Sequence, residues 1–222
     1  MDSPARAAAA AAAAELVEPG MTIGLGSGRA VWAVLELLRD RGIRAAAASS
    51  RTEELLREAG IDVVELDGTV RLTLAIDGAD EVDPSLGLIK GGGAAMLREK
   101  LVVKAAERFV VVAEASKKVP RLGTTRRLPV EVVRFAWRDT QRRLGALVPK
   151  SELRISAQGD IVVTDEGHYI LDCELPASGD LAALGAAIKA EVGVVEHGLF
   201  IGLASLALLG NDDGSVERVS PS

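Results

Sequence analysis

Cysteine is nearly missing from this chain of 222 residues, and the lone Cys173 excludes an internal disulfide. One thiol also argues against a cysteine-based metal site and fits a reducing, cytoplasmic setting. Long apolar runs are missing too: none approaches the ~20 residues needed to span a bilayer, so no membrane association is expected. Basic excess is absent. With 26 Lys and Arg against 32 Asp and Glu, the formal charge is −6, which argues against a nucleic-acid partner. Only two histidines occur, His168 and His197. Neither has partners at useful spacing, so both are read as structural, and no serine hydrolase triad is visible. Internal repeats and low-complexity linkers are also lacking.

What is present suffices for a core. An apolar content of 48% can bury one core, or one core with a small appended lobe. The alanine run at 7–14 reads as a first helix, since alanine has the best helix propensity. It lacks the basic start and cleavage site of a secretory signal and runs through Glu15 and Glu18 into Pro19-Gly20. Little beyond Leu16 and Val17 anchors it, so its first turns are expected to fray.

Short apolar runs at 21–25, 43–48, 61–66, 72–76 and 109–113 read as strands, with helices expected at 30–39, 53–59 and from about Ala94. That alternation predicts an α/β fold with a parallel, doubly wound sheet whose polar strand ends gather on one edge. Near 123–127 the rhythm changes. A strand at 128–133 broken by Pro129, a helix at 139–147, and a hairpin of 161–164 with 168–173 around Asp165-Glu166-Gly167 come next. A helix at 181–190 and extended chain at 194–200 complete an α+β insertion, and a strand at 203–209 rejoins the first sheet. The expected division is a catalytic domain at 1–126 plus 201–222 and a lobe at 127–200 that contributes to a subunit interface, in a homodimer or homotetramer.

Candidate chemistry concentrates in residues 72–104, LTLAIDGADEVDPSLGLIKGGGAAMLREKLVVK. Asp77 and Asp80 follow a strand, where an open α/β sheet binds ligands, although a solvated turn uses the same residue types. The alternating Asp/Asn ligands and closing Glu of a calcium loop are not in register from Asp77, which argues against one. Gly91, Gly92 and Gly93 leave the backbone N–H groups unobstructed, and the helix after them offers the positive end of its dipole to an oxyanion. Lys90 beside them can neutralise developing negative charge; a flexible hinge with a solvated lysine is the plainer reading. Glu99 has only Ala95, Met96, Val102 and Val103 at helical neighbour spacing. Desolvation there would raise its pKa toward that of a general base, while a position at the edge of the apolar face would leave it in water.

Upstream, Gly24, Gly26, Ser27, Gly28 and Arg29 join a strand to a helix in a manner suited to phosphate. The dinucleotide pattern fails because position 29 holds arginine, and no Walker A lysine is present. Ser49, Ser50 and Thr52 end the next strand, where hydroxyls commonly serve as helix caps.

Taken together, DGADEVD at 77–83, IKGGGAAMLREK at 89–100 and EASK at 114–117 resemble the signature series of the type A ribose-5-phosphate isomerases. LPVEV at 128–132, TDEGHYILD at 164–172 and GVVEHGLF at 193–200 are similar to the second-lobe landmarks of that family. The resemblance implies a Rossmann-like domain with a smaller α+β lobe, no metal or organic cofactor, and interconversion of ribose 5-phosphate and ribulose 5-phosphate. It makes Glu99 the base that moves a proton between C2 and C1, and Asp77 a participant in ring opening. Lys90 and the amides of Gly91 to Gly93 would stabilise the enediolate. Asp80 and Lys117 would bind sugar or phosphate, and Ser27, Gly28, Arg29, Ala30, Gly78 and Ala79 would complete the substrate contacts.

Two loops depart from the family. After glycine the first loop of relatives continues into hydroxyls, roughly G-x-G-T-G-S-T, whereas here only Ser27 keeps one and Arg29 and Ala30 stand in the later places. The serine loop is shortened between Ser50 and Thr52. Arg29, or Arg6 before the first helix, is the candidate to compensate at the phosphate. The alternatives are an isomerase for another sugar phosphate and a non-catalytic sugar-phosphate sensor; residues 1–19 leave no room for the helix-turn-helix a sensor would carry.

Overall fold

The computed structural model describes residues 3–221; Met1, Asp2 and Ser222 lie outside the described residues. In chain order come α1 (Pro4–Ala14), β1 (Thr22–Leu25), α2 (Arg29–Leu37), β2 (Arg44–Ala47), α3 (Ser50–Glu58), β3 (Asp62–Val63) and β4 (Leu74–Asp77). Next are β5 (Glu81–Val82), β6 (Leu88–Ile89), α4 (Met96–Lys104), β7 (Phe109–Glu114) and β8 (Leu128–Val132). The remainder comprises α5 (Trp137–Leu144), β9 (Ser151–Leu153), β10 (Tyr169–Cys173), α6 (Leu181–Ala190), β11 (Val194–His197), β12 (Leu199–Phe200), β13 (Leu206–Gly210) and β14 (Val216–Val219). No helix among the described residues is long and apolar enough to cross a membrane.

The chain forms two compact units. The first takes in the chain up to Ala79, then Arg98–Lys118, then the chain from Gly202 onward. Its seven-stranded sheet has the order β14-β13-β7-β4-β1-β2-β3, parallel throughout except for β14 at one edge. From β1 the chain winds outward through β2 to β3, then returns to place β4 on the other side of β1. That reversal makes the gap between the carboxyl ends of β1 and β4 a topological switch point, where open α/β sheets form a crevice.

Side chains of a strand alternate between faces. Ile23 and Leu25 of β1 join Leu74, Ile76, Val110 and Val112 in a core that buries α1, α2 and Leu56 of α3. Gly24 faces the other way, and a Cβ added there would lie 2.3 Å from Val102 Cγ1 of α4. Helices therefore cover both faces, and α4 lies close on the sheet because position 24 has no side chain.

Against expectation, α1 is well anchored. Ala5, Ala9, Ala10 and Ala13 are all buried, and a Cβ at Gly210 would lie 1.8 Å from the Ala5 carbonyl oxygen. Alanine here is the residue that lets a helix approach strands closely, and Ser3 caps its first turn by accepting from Arg6 N–H. Strand β3 is shorter than the apolar run at 61–66. Val64 N–H still bonds the Ala45 carbonyl at 2.9 Å, but Leu66 beyond it is exposed. Strand β14 escapes sequence patterning because VERV is half charged; it is set by the turn at 211–215, where Asn211 N–H bonds the Ser215 carbonyl at 2.9 Å.

The second unit combines Asp80–Leu97 with Val119–Ile201, so residues 80–97 group with the lobe rather than with the first sheet. The cause is backbone pairing: β6 bonds both β5 and β12 in a three-stranded antiparallel sheet. A four-stranded antiparallel sheet, β11-β8-β10-β9, forms the rest with α5 and α6. Pro129 does not break β8. Its carbonyl accepts Gly198 N–H at 2.8 Å, and the strand continues paired on both sides. Of the expected hairpin only the β10 arm is a full strand. The other arm makes single bridges, Ile155 to Ile161 and Val163 to Tyr169, around a turn at Gly167 with φ +80°. His168 and His197 both belong to this unit. His168 Nδ1 lies 2.9 Å from Glu131 Oε1, which also accepts Thr164 Oγ1, and His197 Nδ1 accepts Leu199 N–H.

Candidate active site

In the first unit the switch point is occupied by Asp77, the last residue of β4, which is 1% exposed. Its Oδ1 accepts Gly78 N–H at 2.7 Å and Ser27 N–H at 3.2 Å, tying the β4 end to the loop after β1. Gly26 makes that possible. A Cβ at position 26 would fall 1.8 Å from Asp77 Oδ1, so the glycine serves contact with the carboxylate. Gly28 has φ +96° with open space around it, a backbone need rather than a packing one.

Behind this loop runs a directional chain of hydroxyls that sequence spacing does not reveal. Ser27 Oγ donates to Ser49 Oγ (3.1 Å), Ser49 Oγ to Thr52 Oγ1 (3.0 Å), and Thr52 Oγ1 to the Gly26 carbonyl (2.8 Å). Trp32 Nε1 donates to Thr52 Oγ1 at 3.1 Å. Ser49 is also the N-cap of α3, accepting Thr52 N–H, so the cap reading and a role in shaping the first loop hold together. Ser50 and Arg29 are exposed, Ala30 is half-buried, and Ala30 Cβ would stand 4.0 Å from a Cβ at Gly78.

Glu99 lies in the first turn of α4 and is 5% exposed. Ala95, Met96, Val102 and Val103 are buried as well, whereas Leu101 on the opposite side is 57% exposed. Glu99 thus belongs to the buried face of the helix, not its edge. The helix begins at Met96 rather than Ala94, because Ala94 adopts φ +65° and ends a turn closed by its N–H on the Gly91 carbonyl. Lys117 ends a 3-10 turn, Ala115–Lys117, directly after β7, and is half-buried. Arg6 is committed to an ion pair with Glu114 at the end of β7, 2.6 Å apart.

In the second unit Lys90 is 2% exposed, with its Nζ 5.5 Å from the centre of the Phe200 ring. Lys90 N–H bonds the Gly198 carbonyl, and a Cβ at Gly198 would lie 2.1 Å from the Lys90 oxygen, so that glycine permits the approach. The glycine loop follows. Gly92 N–H donates to Asp80 Oδ2 at 2.8 Å, so one of the three amides expected to face an oxyanion is engaged by an aspartate. Arg154 Nη1 donates to the carbonyls of Gly91 (2.7 Å) and Gly92 (3.2 Å). Glu81, fully buried, accepts Gly123 N–H, Thr125 Oγ1 and Arg126 N–H, which makes it the anchor of the 123–126 segment. Asp80, Gly92, Arg126, Arg127 and Arg154 line a cavity of about 570 Å³ within this unit. Among the described residues no cluster of three or more His, Cys, Asp or Glu side chains could hold a metal ion.

Comparison with known proteins extends over the whole chain. Residues 44–214 match the model of the family described as ribose 5-phosphate isomerase A (phosphoriboisomerase A). The ribose-5-phosphate isomerase A of Synechococcus sp. (strain JA-3-3Ab) is 48% identical over 214 residues, 93% of each chain. Among solved structures, the ribose 5-phosphate isomerase from Plasmodium falciparum superposes with a TM-score of 0.92 at 33% identity, covering 100% of both chains. A D-ribose-5-phosphate isomerase in complex with phospho-erythronic acid superposes with a TM-score of 0.91 at 32% identity over 97% of both. With a family match over most of its length and close relatives end to end, the chain belongs to the ribose 5-phosphate isomerase A family.

Proposed function

We propose that this enzyme interconverts ribose 5-phosphate and ribulose 5-phosphate by proton transfer through an enediolate. Family membership supports the reaction, and the observation that carries the assignment of roles is Glu99, a carboxylate on the buried face of α4. Removing a proton α to a carbonyl needs one positioned base and a means of stabilising the oxyanion.

Glu99 takes the C2 proton of the open-chain aldose and returns it to C1, while the hydroxyl proton passes from O2 to O1 at the enediolate stage, so that the C1 carbonyl becomes a hydroxyl and C2 becomes the carbonyl. Asp77, buried at the end of β4 and held by two amides, assists ring opening by exchanging a proton with the ring oxygen or the anomeric hydroxyl. Lys90, with the amides of Gly91 and Gly93, balances the charge on the enediolate oxygens, while Gly92 N–H holds Asp80 Oδ2. Asp80 and Lys117 hold sugar hydroxyls or phosphate, and the loop of Ser27, Gly28, Arg29 and Ala30 with Gly78 and Ala79 completes the substrate contacts. Neither a metal nor an organic cofactor enters this scheme.

A homodimer or homotetramer is favoured by the exposed apolar side chains of the second unit, Phe135, Val192, Ile155, Ile161 and Val163. The single buried thiol accords with a cytoplasmic location.

Turnover decides the assignment. The protein is mixed with ribose 5-phosphate in EDTA and ketose formation is followed, with Glu99→Gln as control. Formation of ribulose 5-phosphate by the parent and its loss in the variant are expected. Binding without turnover would point to a sensor, and turnover confined to another aldose phosphate would point to a divergent isomerase.

A further inference from the structure

Three consecutive glycines have no side chains by which a fold can hold them, and Gly91 at φ +100° and Ala94 at φ +65° add conformations that the chain does not favour on its own. Something outside the loop must fix it. Arg154 is placed to do so. Its Nη1 reaches two successive carbonyl oxygens, Gly91 at 2.7 Å and Gly92 at 3.2 Å. The rest of the guanidinium forks onto Asp172, with Nε 2.9 Å from Oδ2 and Nη2 on Oδ1. Asp172 belongs to β10, which is paired on both sides by β8 and β9, so the carboxylate that orients the arginine sits on a strand held from two directions. Arg154 itself is fixed by its N–H on the Ile170 carbonyl at 2.9 Å.

Peptide planarity turns this grip into a directional effect. In a trans peptide the C=O of one residue and the N–H of the next point in opposite directions. Holding the Gly91 oxygen therefore aims Gly92 N–H away from Arg154, where it meets Asp80 Oδ2 at 2.8 Å. Holding the Gly92 oxygen aims the N–H of Gly93, an exposed residue, in the same sense. A carbonyl that accepts from a cation also makes its own peptide N–H a better donor, since successive hydrogen bonds polarise one another.

We propose that Arg154 is a positioning residue: by clamping the Gly91 and Gly92 carbonyls it sets the direction and donor strength of the Gly92 and Gly93 amides. Its kinetic consequence rests on the isomerase reading above; its structural consequence does not. Lysine cannot replace it, because a single ammonium cannot fork onto Asp172 and bridge two carbonyls in fixed geometry.

The test compares Arg154→Ala with the parent by two independent readouts. The first is amide hydrogen exchange of the 90–95 segment, expected to accelerate by at least about tenfold in the variant, since a loop relieved of its clamp opens locally. The second is kinetics with ribose 5-phosphate. Misaimed donors should lower kcat by roughly 10²-fold with KM little changed. Because Arg154 lines the 570 Å³ cavity, a small cation can reach the space left by truncation. Added guanidinium at non-denaturing concentration should restore part of the lost kcat, and ammonium should not. Parental exchange in the loop, or a lost kcat that guanidinium leaves untouched, overturns the proposal. Should Arg154→Ala fail to fold, Arg154→Lys and Asp172→Asn, with nearly unchanged side-chain volume, carry the exchange and kcat measurements without the guanidinium arm, and parental values of both overturn the proposal. If the parent does not turn over ribose 5-phosphate, the isomerase reading falls while loop exchange still decides the clamp.

Discussion

Position 26 is glycine because Asp77 fills the space a side chain would need: a Cβ there would meet Oδ1 at 1.8 Å and Cγ at 1.9 Å. Neither atom is the loose end of a long side chain. The carboxylate is buried and bonded to the amides of Ser27 and Gly78, so it cannot swing aside without giving up both. Gly26→Ala should therefore cost about 1–3 kcal/mol of stability through overpacking. It should also reduce turnover far more than that loss of stability accounts for, because the displaced group is the one assigned to ring opening. Gly28→Ala is the contrast: its Cβ meets no protein atoms, and its cost comes from φ +96° with ψ 170°, a region essentially reserved for glycine. It should cost about 1–3 kcal/mol of stability and act on turnover through KM, by way of the substrate loop, rather than through kcat. Thermal unfolding alongside the isomerase assay separates the two.

The hydroxyl chain behind the first loop yields a second expectation. Thr52 is fully buried and serves Gly26, Ser49 and Trp32 at once. Thr52→Val keeps the shape but strips the Trp32 N–H and the Gly26 carbonyl of their partner. Each orphaned group costs about 1–3 kcal/mol, and the two together lower Tm by roughly 4–24 °C for a chain of this size. Ser49→Ala loses the α3 cap and one link of the chain, for about 1 kcal/mol. A Tm that responds to Ser49→Ala but not to Thr52→Val would mean that the cap alone matters.

Alternation of apolar runs with helical segments was enough to identify the doubly wound sheet, because buried parallel strands need little more than short apolar stretches between helices. Asp77 was legible as a strand-end acid for the same reason. Features that depend on distant partners were not. Thr52 bonds a carbonyl 26 positions earlier, Arg154 reaches a carbonyl 63 positions away, and Arg6 pairs with an acid 108 positions on. Nothing local in those segments announces such contacts. The alanine helix misled in a different way: small residues looked like weak anchors, whereas Ala5 against Gly210 shows that smallness is what allowed close packing. Strand β14 was illegible because VERV carries two charges in four residues on a sheet edge.

Cys173 offers a test that is independent of catalysis. It lies fully buried in β10, and desolvation pushes its thiol pKa up to about 12, with the neighbouring Asp172 charge adding to the rise. The thiolate is the reactive form, so at pH 8 the native protein should resist iodoacetamide for hours. Reaction should become rapid only once denaturant opens the second unit. Fast labelling without unfolding would show that β10 opens locally.

Arg29 stands in the first loop, where the family resemblance leads one to expect a hydroxyl. It begins α2, whose cap Gly28 makes no side-chain hydrogen bond, and its own side chain is exposed. An exposed guanidinium at a helix start acts on a phosphate mainly through Coulomb attraction, which added salt weakens over a Debye length of roughly 8 Å at physiological ionic strength. Arg29→Ala should then raise KM for ribose 5-phosphate by about three- to tenfold in dilute buffer, with kcat nearly unchanged, since uniform binding is what it supplies. The gap between variant and parent should close as salt is added. Arg6→Ala is the companion measurement. Because Arg6 is bound to Glu114, its loss should show chiefly in stability, by about 1 kcal/mol or less for a partly exposed pair. Equal KM for Arg29→Ala and parent at low salt, with a raised KM for Arg6→Ala, would transfer the phosphate role to Arg6.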